Sequence, residues 1–412
     1  MQKGLVQPMT SQSTPPPFRR RVFYIPGFDP YPARRYRELY RSESSLQAGI
    51  SGYDVQMRAR IGATGYAWNI SAQFGDARAH TRYDVLGWNE LVRDNMGHSI
   101  AATYWQMISV AWLYLRSGAL RRLAMLRKGP VIAALYPIAA LLAQLLLAML
   151  AARLVGGLVA GLTHPIAGWA VGLPVGYAIL RWFKAKDRWL FVYYLMHDYA
   201  FAARREGVMP MELGERITQF QEQILGALNS DVDEVLVVGH SSGAQIAVHV
   251  LANLTREGLV PKSRAKLSFL SLGHVIPMVS FLPKAYRLRA DLHQLSQSDE
   301  LFWLDVSAPG DGCSFALCDP VAVTGVAPDN QRWPLVISAA FSQTLSPQRW
   351  ASLKRRYFRL HFQYLCAFDQ PGDYDYFQIT AGPMTLRDRF RNRQPSASRI
   401  DVPASGHTTM HL

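Results

Sequence analysis

Short apolar runs and longer helically spaced stretches take turns along the chain. Val22 to Ile25 is apolar and ends at Pro26-Gly27, which predicts a buried strand running into a tight loop. Tyr53 to Ile61 and Tyr66 to Phe74 are rich in β-formers and flank a Gly62-to-Gly65 turn, predicting a hairpin or adjacent strands. Glu234 to Val238 is a continuous β-branched run of the kind buried on both faces of a parallel sheet. Further strands are expected at Lys266 to Leu272 and Leu301 to Val306. Helical spacing occupies 32–48, the stretch from Trp88 toward Leu115, 189–205, 212–229 and 244–254, with Leu213, Ile217, Phe220, Ile224 and Leu228 on one stripe. Strands alternating with helices predict an α/β fold, a mostly parallel wound sheet with helices on both faces.

Two segments break this rhythm. Neither Val131 to Ala152 nor Leu158 to Leu180 carries a formal charge, and each is long enough to cross a bilayer core, which takes about 20 helical residues. They predict an inserted transmembrane hairpin spanning 131–152 and 158–180, joined by Arg153 to Gly157. The alternative is a buried helical pair or a hydrophobic cap. Gly168, Gly172 and Gly176, four apart, put a glycine stripe on one face, where a neighbouring helix can approach closely. Residues 117–186 are thus read as the hairpin with its basic flanks, 19–116 and 187–391 as two parts of one α/β domain, 1–18 as a disordered start and 392–412 as a flexible tail.

Charge sharpens the membrane reading. The net charge is +14, from 44 Lys and Arg against 30 Asp and Glu, which favours anionic partners. Much of the excess flanks the apolar segments, at Arg121-Arg122, Arg127-Lys128 and Lys184 to Arg188, and this puts both outer ends on the cytoplasmic side. The expected contact is a bilayer with anionic headgroups, and no nucleic-acid partner is expected. Three cysteines, Cys313, Cys318 and Cys366, are too few for a disulfide framework and fit a reducing compartment.

Candidate chemistry centres on Gly239-His240-Ser241-Ser242-Gly243, set between the strand at 234–238 and the helical pattern from Ala244. A strand, Gly-x-Ser-x-Gly and a helix in that order hold a serine on a sharp turn. Gly239 and Gly243 are needed because a side chain at either place would strike a neighbouring element. The competing reading is an ordinary turn serine. An oxyanion needs N–H donors; Ser242 would supply one and Phe28, after Pro26-Gly27, the other, unless that loop is a plain turn. His240 is expected to pack against the turn. Asp373 and Asp375 are read as structural, and no metal or cofactor is expected.

The Phe23-to-Phe28 strand and loop, the Leu236-to-Gly243 turn and the strands after it resemble the α/β-hydrolase superfamily, most nearly its lipases and esterases. The resemblance implies acyl-ester hydrolysis by a triad running Ser, acid, His along the chain. The acid is then Asp311, in the loop after 301–306, with Asp305 and Asp319 as alternatives. The base is His361 in an aromatic segment, with His407 and His411 as alternatives at the loose terminus. Alternation of Phe358, Leu360, Phe362 and Tyr364 suggests a strand there; the spacing of Tyr357, His361, Leu365 and Phe368 suggests a helix. Together these readings give an integral membrane serine hydrolase with its catalytic domain on the cytoplasmic face, acting on lipid-like or other acyl esters. A thioesterase or peptidase on the same triad, or a non-catalytic membrane scaffold, are the other readings.

Overall fold

The computed structural model describes residues 16–59, 66–262 and 264–411. The expected disordered start, up to residue 15, and the Gly62-to-Gly65 turn fall outside them.

Eight strands form one sheet: β1 (Phe18–Ile25), β2 (Asp54–Ala59), β3 (Ala67–Phe74), β4 (Ala77–Val85), β5 (Glu234–His240), β6 (Lys266–Leu272), β7 (Leu301–Ser307) and β8 (Leu335–Ser338). Their spatial order is β2-β3-β4-β1-β5-β6-β7-β8, with β4 through β8 parallel and β2 and β3 joined antiparallel at one edge. The α/β class and the mostly parallel sheet are therefore as the pattern predicts. Every residue of β5 is buried, which accounts for its unbroken apolar run. Apolar clusters cover both faces. One joins Tyr24, Tyr40, Trp68, Tyr83 and Tyr376; the other joins Phe23, Phe220, Val237, Phe269 and Trp303.

Arg20 lies inside β1 with its side chain fully buried. It donates from Nε to Glu234 at 2.6 Å and from a terminal nitrogen to the Gly382 carbonyl at 2.7 Å. Removing either partner would strand the other's charge inside the protein, which typically costs about 3–5 kcal/mol.

The strand order reverses between β1 and β5. From β1 the chain leaves to the β2 edge and returns through β3 and β4, whereas from β5 it steps outward through β6 and β7 to β8 at the opposite edge. Such a switch point leaves a crevice beyond the carboxyl ends of the strands, where ligands of wound sheets bind.

The two apolar segments are helices, but their joint is not at Arg153 to Gly157. The first runs unbroken over Lys128–Leu162 and the second over Pro165–Ala185, so the chain turns at Thr163 and His164. Gly156 is a packing residue instead of a break. A Cβ on it would stand 2.7 Å from the Gly168 carbonyl oxygen, and one on Gly172 would stand 2.6 Å from that of Ala152. The glycine stripe of the second helix thus lies against the first at backbone distance. Gly172→Leu is expected to wedge the pair apart at about 1–3 kcal/mol, the usual cost of overpacking. A melting temperature unchanged in detergent would show that the stripe does not set the pairing.

The first apolar helix has two parts. Its opening stretch is rooted in the body: Val131, Pro137, Leu141 and Gln144 are buried, Tyr104 donates to the Leu141 carbonyl at 2.9 Å, and Tyr136 donates to that of Leu190 at 2.8 Å. Beyond that, Leu146, Leu154, Leu158 and Leu162 are exposed, as are Ile166, Trp169 and Leu173 on the second helix.

The C-terminal segment is tied down, contrary to the loose tail its composition suggests. Ile400 pairs with Cys318 in a short bridge, Ala404 N–H donates to the Val323 carbonyl at 2.9 Å, and the buried Arg289 donates to the Thr409 carbonyl at 2.6 Å. Backbone hydrogen bonds hold it, and these leave no trace in hydrophobic periodicity.

Candidate active site

Ser241 sits between β5 and the helix Ser242–Arg256 with φ 57° and ψ −125°, a left-handed conformation that a non-glycine residue adopts only under constraint. Its N–H donates to the Leu272 carbonyl of β6 at 2.9 Å. Gly243 is obligatory, since a Cβ there would lie 2.2 Å from the Ile25 carbonyl oxygen of β1; one on Gly239 would lie 2.6 Å from Ala244 Cα. The turn is thereby pressed against the carboxyl end of β1 at the switch point. Ser242 opens the helix, so its N–H has no carbonyl partner within that helix.

The loop after β1 comes alongside. A Cβ on Gly27 would lie 3.0 Å from Ser241 Cβ, so Gly27 lets the backbone reach the serine. The loop is pinned on three sides. Trp88 Nε1 donates to the Pro26 carbonyl at 2.9 Å, and Tyr194 donates through its hydroxyl to that of Phe28. Asp29 accepts from the Tyr36 hydroxyl at 2.5 Å and the Tyr31 N–H at 2.9 Å. The Phe28 ring packs against Trp88, Tyr194 and Phe201.

Asp311 follows β7 and His361 follows β8, and the two meet: His361 Nδ1 lies 2.7 Å from Asp311 Oδ2, both side chains being buried. Tyr364 adds its hydroxyl to the same carboxylate oxygen at 3.0 Å, and the Cys313 N–H donates to Oδ1 at 2.9 Å. Burial alone would raise the Asp311 carboxyl. The His361 charge and these hydrogen bonds outweigh it and hold the carboxyl below its ordinary value.

His361 ends a short helix, Tyr357–His361, which settles the helix-or-strand question for that segment. Its ring stacks on His240 at 4.7 Å, and His240 Nε2 lies 3.0 Å from the His361 carbonyl oxygen, so the residue beside Ser241 holds the backbone of His361 in place. Burial drives the His240 pKa down to about 3 and keeps its ring neutral, as expected of a structural donor. With Nδ1 engaged by Asp311, Nε2 of His361 is buried without a partner among the described residues.

The alternative acids are occupied elsewhere. Asp305, inside β7, accepts from Ser271 at 2.5 Å; Asp319 caps the helix Pro320–Thr324 through the Val321 and Ala322 N–H groups. His407 lies in the tied-down terminal segment, accepting through its carbonyl from Ser405 Oγ at 2.8 Å. Asp375 caps the helix Tyr376–Ala381 and accepts from Tyr53, a structural role. Asp311, Cys313 and His361 place ligand atoms within 4.8 Å of one another. Burial raises the Cys313 thiol well above its usual range, and a metal here would have to displace the 2.7 Å hydrogen bond, so the trio fits a hydrogen-bonded pair better than a metal centre.

Tyr364, the bridging role of His240 and Asp198 were not anticipated. Asp198, on the helix Val192–Ala202, lines a small cavity with Ser242 and Gln245. Desolvation raises its pKa to about 7, against the lowering influence of His361. The sign follows directly. Between the ordinary carboxylate range and about 7 the folded chain keeps a proton that the unfolded chain has lost, so stability falls with rising pH across that window and levels off above it. Asp198→Asn is expected to remove this slope and to raise the melting temperature at pH 8 more than at pH 4. An equal change at both would mean that Asp198 stays ionised.

No family model, curated protein or solved structure matches the chain.

Proposed function

We propose that the chain is a membrane-anchored serine hydrolase of the α/β-hydrolase type that cleaves acyl esters, with lipid esters as its substrate class. The observation that carries this is the buried His361–Asp311 pair, hydrogen-bonded through Nδ1 with Nε2 unpartnered among the described residues, and joined through His240 to the strained turn at Ser241. In this reading Ser241 Oγ attacks the acyl carbonyl and His361 Nε2 takes its proton. Asp311 fixes the tautomer and steadies the imidazolium. The Ser242 and Phe28 N–H groups receive the oxyanion, and the helix dipole behind Ser242 favours charge there. Water, activated by the same imidazole, then releases the acyl group. His240 and Tyr364 act as positioning residues.

The membrane part of the reading rests on length and exposure. The second apolar helix is 21 residues, about 31 Å, close to the thickness of a bilayer core, and both helices show leucines outward. Arg153 lies beside Ala152, whose carbonyl meets Gly172, near mid-length of that helix. An arginine at such depth costs about 2.5–3.5 kcal/mol, within what the surrounding leucines offset. Basic residues at the outer ends support a catalytic body on the cytoplasmic face.

The test is labelling of the full chain in detergent with a fluorophosphonate, coupled to a reporter inserted at Thr163–His164 in membranes. Labelling that depends on Ser241, together with a reporter protected on the cytoplasmic side, is expected. Absence of labelling sinks the hydrolase; a reporter accessible from the cytoplasm sinks the two-span hairpin.

A further inference from the structure

A second cavity, about 250 Å³, opens between the helices Ile100–Arg116 and Val192–Ala202. Its walls carry Arg204, Arg205, His98, His197, Asn95 and Gln106, and no carboxylate among the described residues lines it. Phe201 belongs to both this cavity and the one beside Ser242. One ring therefore partitions a cationic compartment from the serine turn. The neighbours His197 and Asp198 divide in the same way, His197 to the cationic side and Asp198 to the other.

The cations are uncommitted. Glu206, next in sequence, is held by Arg116 and Lys284, whereas neither Arg204 nor Arg205 shares a carboxylate among the described residues. Arg205 and Glu206 both take left-handed backbone angles, φ 46° and 63°, and Lys284 N–H fixes the segment by donating to the Glu206 carbonyl at 2.9 Å. Such strain persists only where the surroundings over-determine it. Arg204 stacks over Phe201 at 5.7 Å, on the dividing wall itself. His197 Nδ1 lies 2.9 Å from Gln106 Oε1, so that nitrogen carries the proton and Nε2 is left as an acceptor for a hydroxyl. At the rim stands Trp105, 69% exposed, on a stripe with Ile108, Trp112 and Leu115 that offers an apolar face to a bilayer.

We infer that this compartment holds the phosphate of an acyl-ester substrate whose carbonyl lies at Ser241, so that the enzyme selects phosphate-bearing lipid esters; the inference rests on the hydrolase reading above. Guanidinium groups recognise phosphate through paired, charge-assisted hydrogen bonds. The reaction cleaves the acyl C–O bond, water giving hydroxyl to the acyl carbon and a proton to the departing alkoxide. The phosphate is untouched and serves only as a handle.

The test separates binding from turnover. Affinities of the full-length Ser241→Ala chain in detergent micelles are measured for a monoacylglycerol phosphate and for an uncharged monoacylglycerol, with inorganic phosphate as competitor. The phosphate lipid is expected to bind about tenfold or more tightly, the size of one charge-assisted contact. Arg204→Ala with Arg205→Ala should erase that preference, and Arg204→Lys with Arg205→Lys should keep part of it. Equal affinity for both lipids, or a preference that survives the alanine pair, overturns the assignment. Inorganic phosphate binding with no preference between the lipids makes this a free-phosphate site and overturns it as well. A clear preference with neither lipid hydrolysed by the wild-type chain leaves the anion compartment standing and sinks the hydrolase reading instead.

Discussion

Ser241→Ala is expected to lower the turnover of an acyl ester by on the order of 10⁵- to 10⁶-fold and to abolish fluorophosphonate labelling, with little change in fold. The size follows from the division of labour at the site. In the proposed reaction no acyl-enzyme forms without the hydroxyl, and His361 and the two N–H donors would only assist direct attack by water. Alanine keeps the Cβ, so the left-handed turn, the Leu272 contact and the close approach of Gly27 all remain. Turnover and circular dichroism measured on the same preparation check this. Residual activity within about tenfold of wild type would remove Ser241 from the chemistry, since a triad nucleophile cannot be dispensed with so cheaply.

His361→Ala and Asp311→Asn are expected to cost about 10⁴-fold or more in kcat. Asp311→Asn would swap the acceptor at 2.7 Å for an amide that can hold the wrong tautomer. It should also change the acid limb of stability. The folded Asp311 carboxyl lies below its ordinary value, so its contribution is complete above the usual carboxylate range and is lost as pH falls through the lowered value. The asparagine variant lacks that loss. Asp305→Asn supplies the contrast: Asp305 is buried in β7, accepts from Ser271 and has its pKa raised by desolvation, so its replacement should move stability and spare the chemical step. A pH series of melting temperatures beside single-turnover rates separates the two. If Asp305→Asn proves the slower enzyme and Asp311→Asn turns over normally, the assignment of the acid is reversed.

The parts of this fold that could be read from the chain are those where local chemistry and long-range packing agree. β5 is buried on both faces and shows an unbroken apolar run from Val235 to Val238, β6 and β7 are mostly apolar and nearly as buried, and the glycines around Ser241 mark a turn that tolerates no Cβ. β4 was missed because Arg78, His80 and Arg82 alternate with its buried residues and hide a strand that sits beside β1. β8 has four residues, too few for a period to show. The glycine stripe at 168, 172 and 176 was legible, yet Gly156-Gly157 was misread as a break, since a glycine that permits close packing and one that ends a helix look alike in sequence. Chain order after the serine brought Asp311 and His361 forward. Tyr364, Asp198 and the arginine-lined compartment could not be seen, because each acquires meaning only from a neighbour many residues away.

The root of the first apolar helix bears on how the protein can be handled. A Cβ on Gly129 would lie 3.0 Å from Gly312 Cα, so the start of this helix touches the backbone of the residue after Asp311. The helix is 35 residues and about 52 Å long, a stiff rod with one end braced on the loop that carries Asp311. A shortened form made by cutting at its first charge, Lys128, would pull out that brace along with the outward apolar part, and any loss of the proposed activity would then have a cause unrelated to membranes. The useful cut lies beyond Gln144, rejoining the chain near the end of the second helix, so that the buried root stays in the body and only the greasy projection is lost.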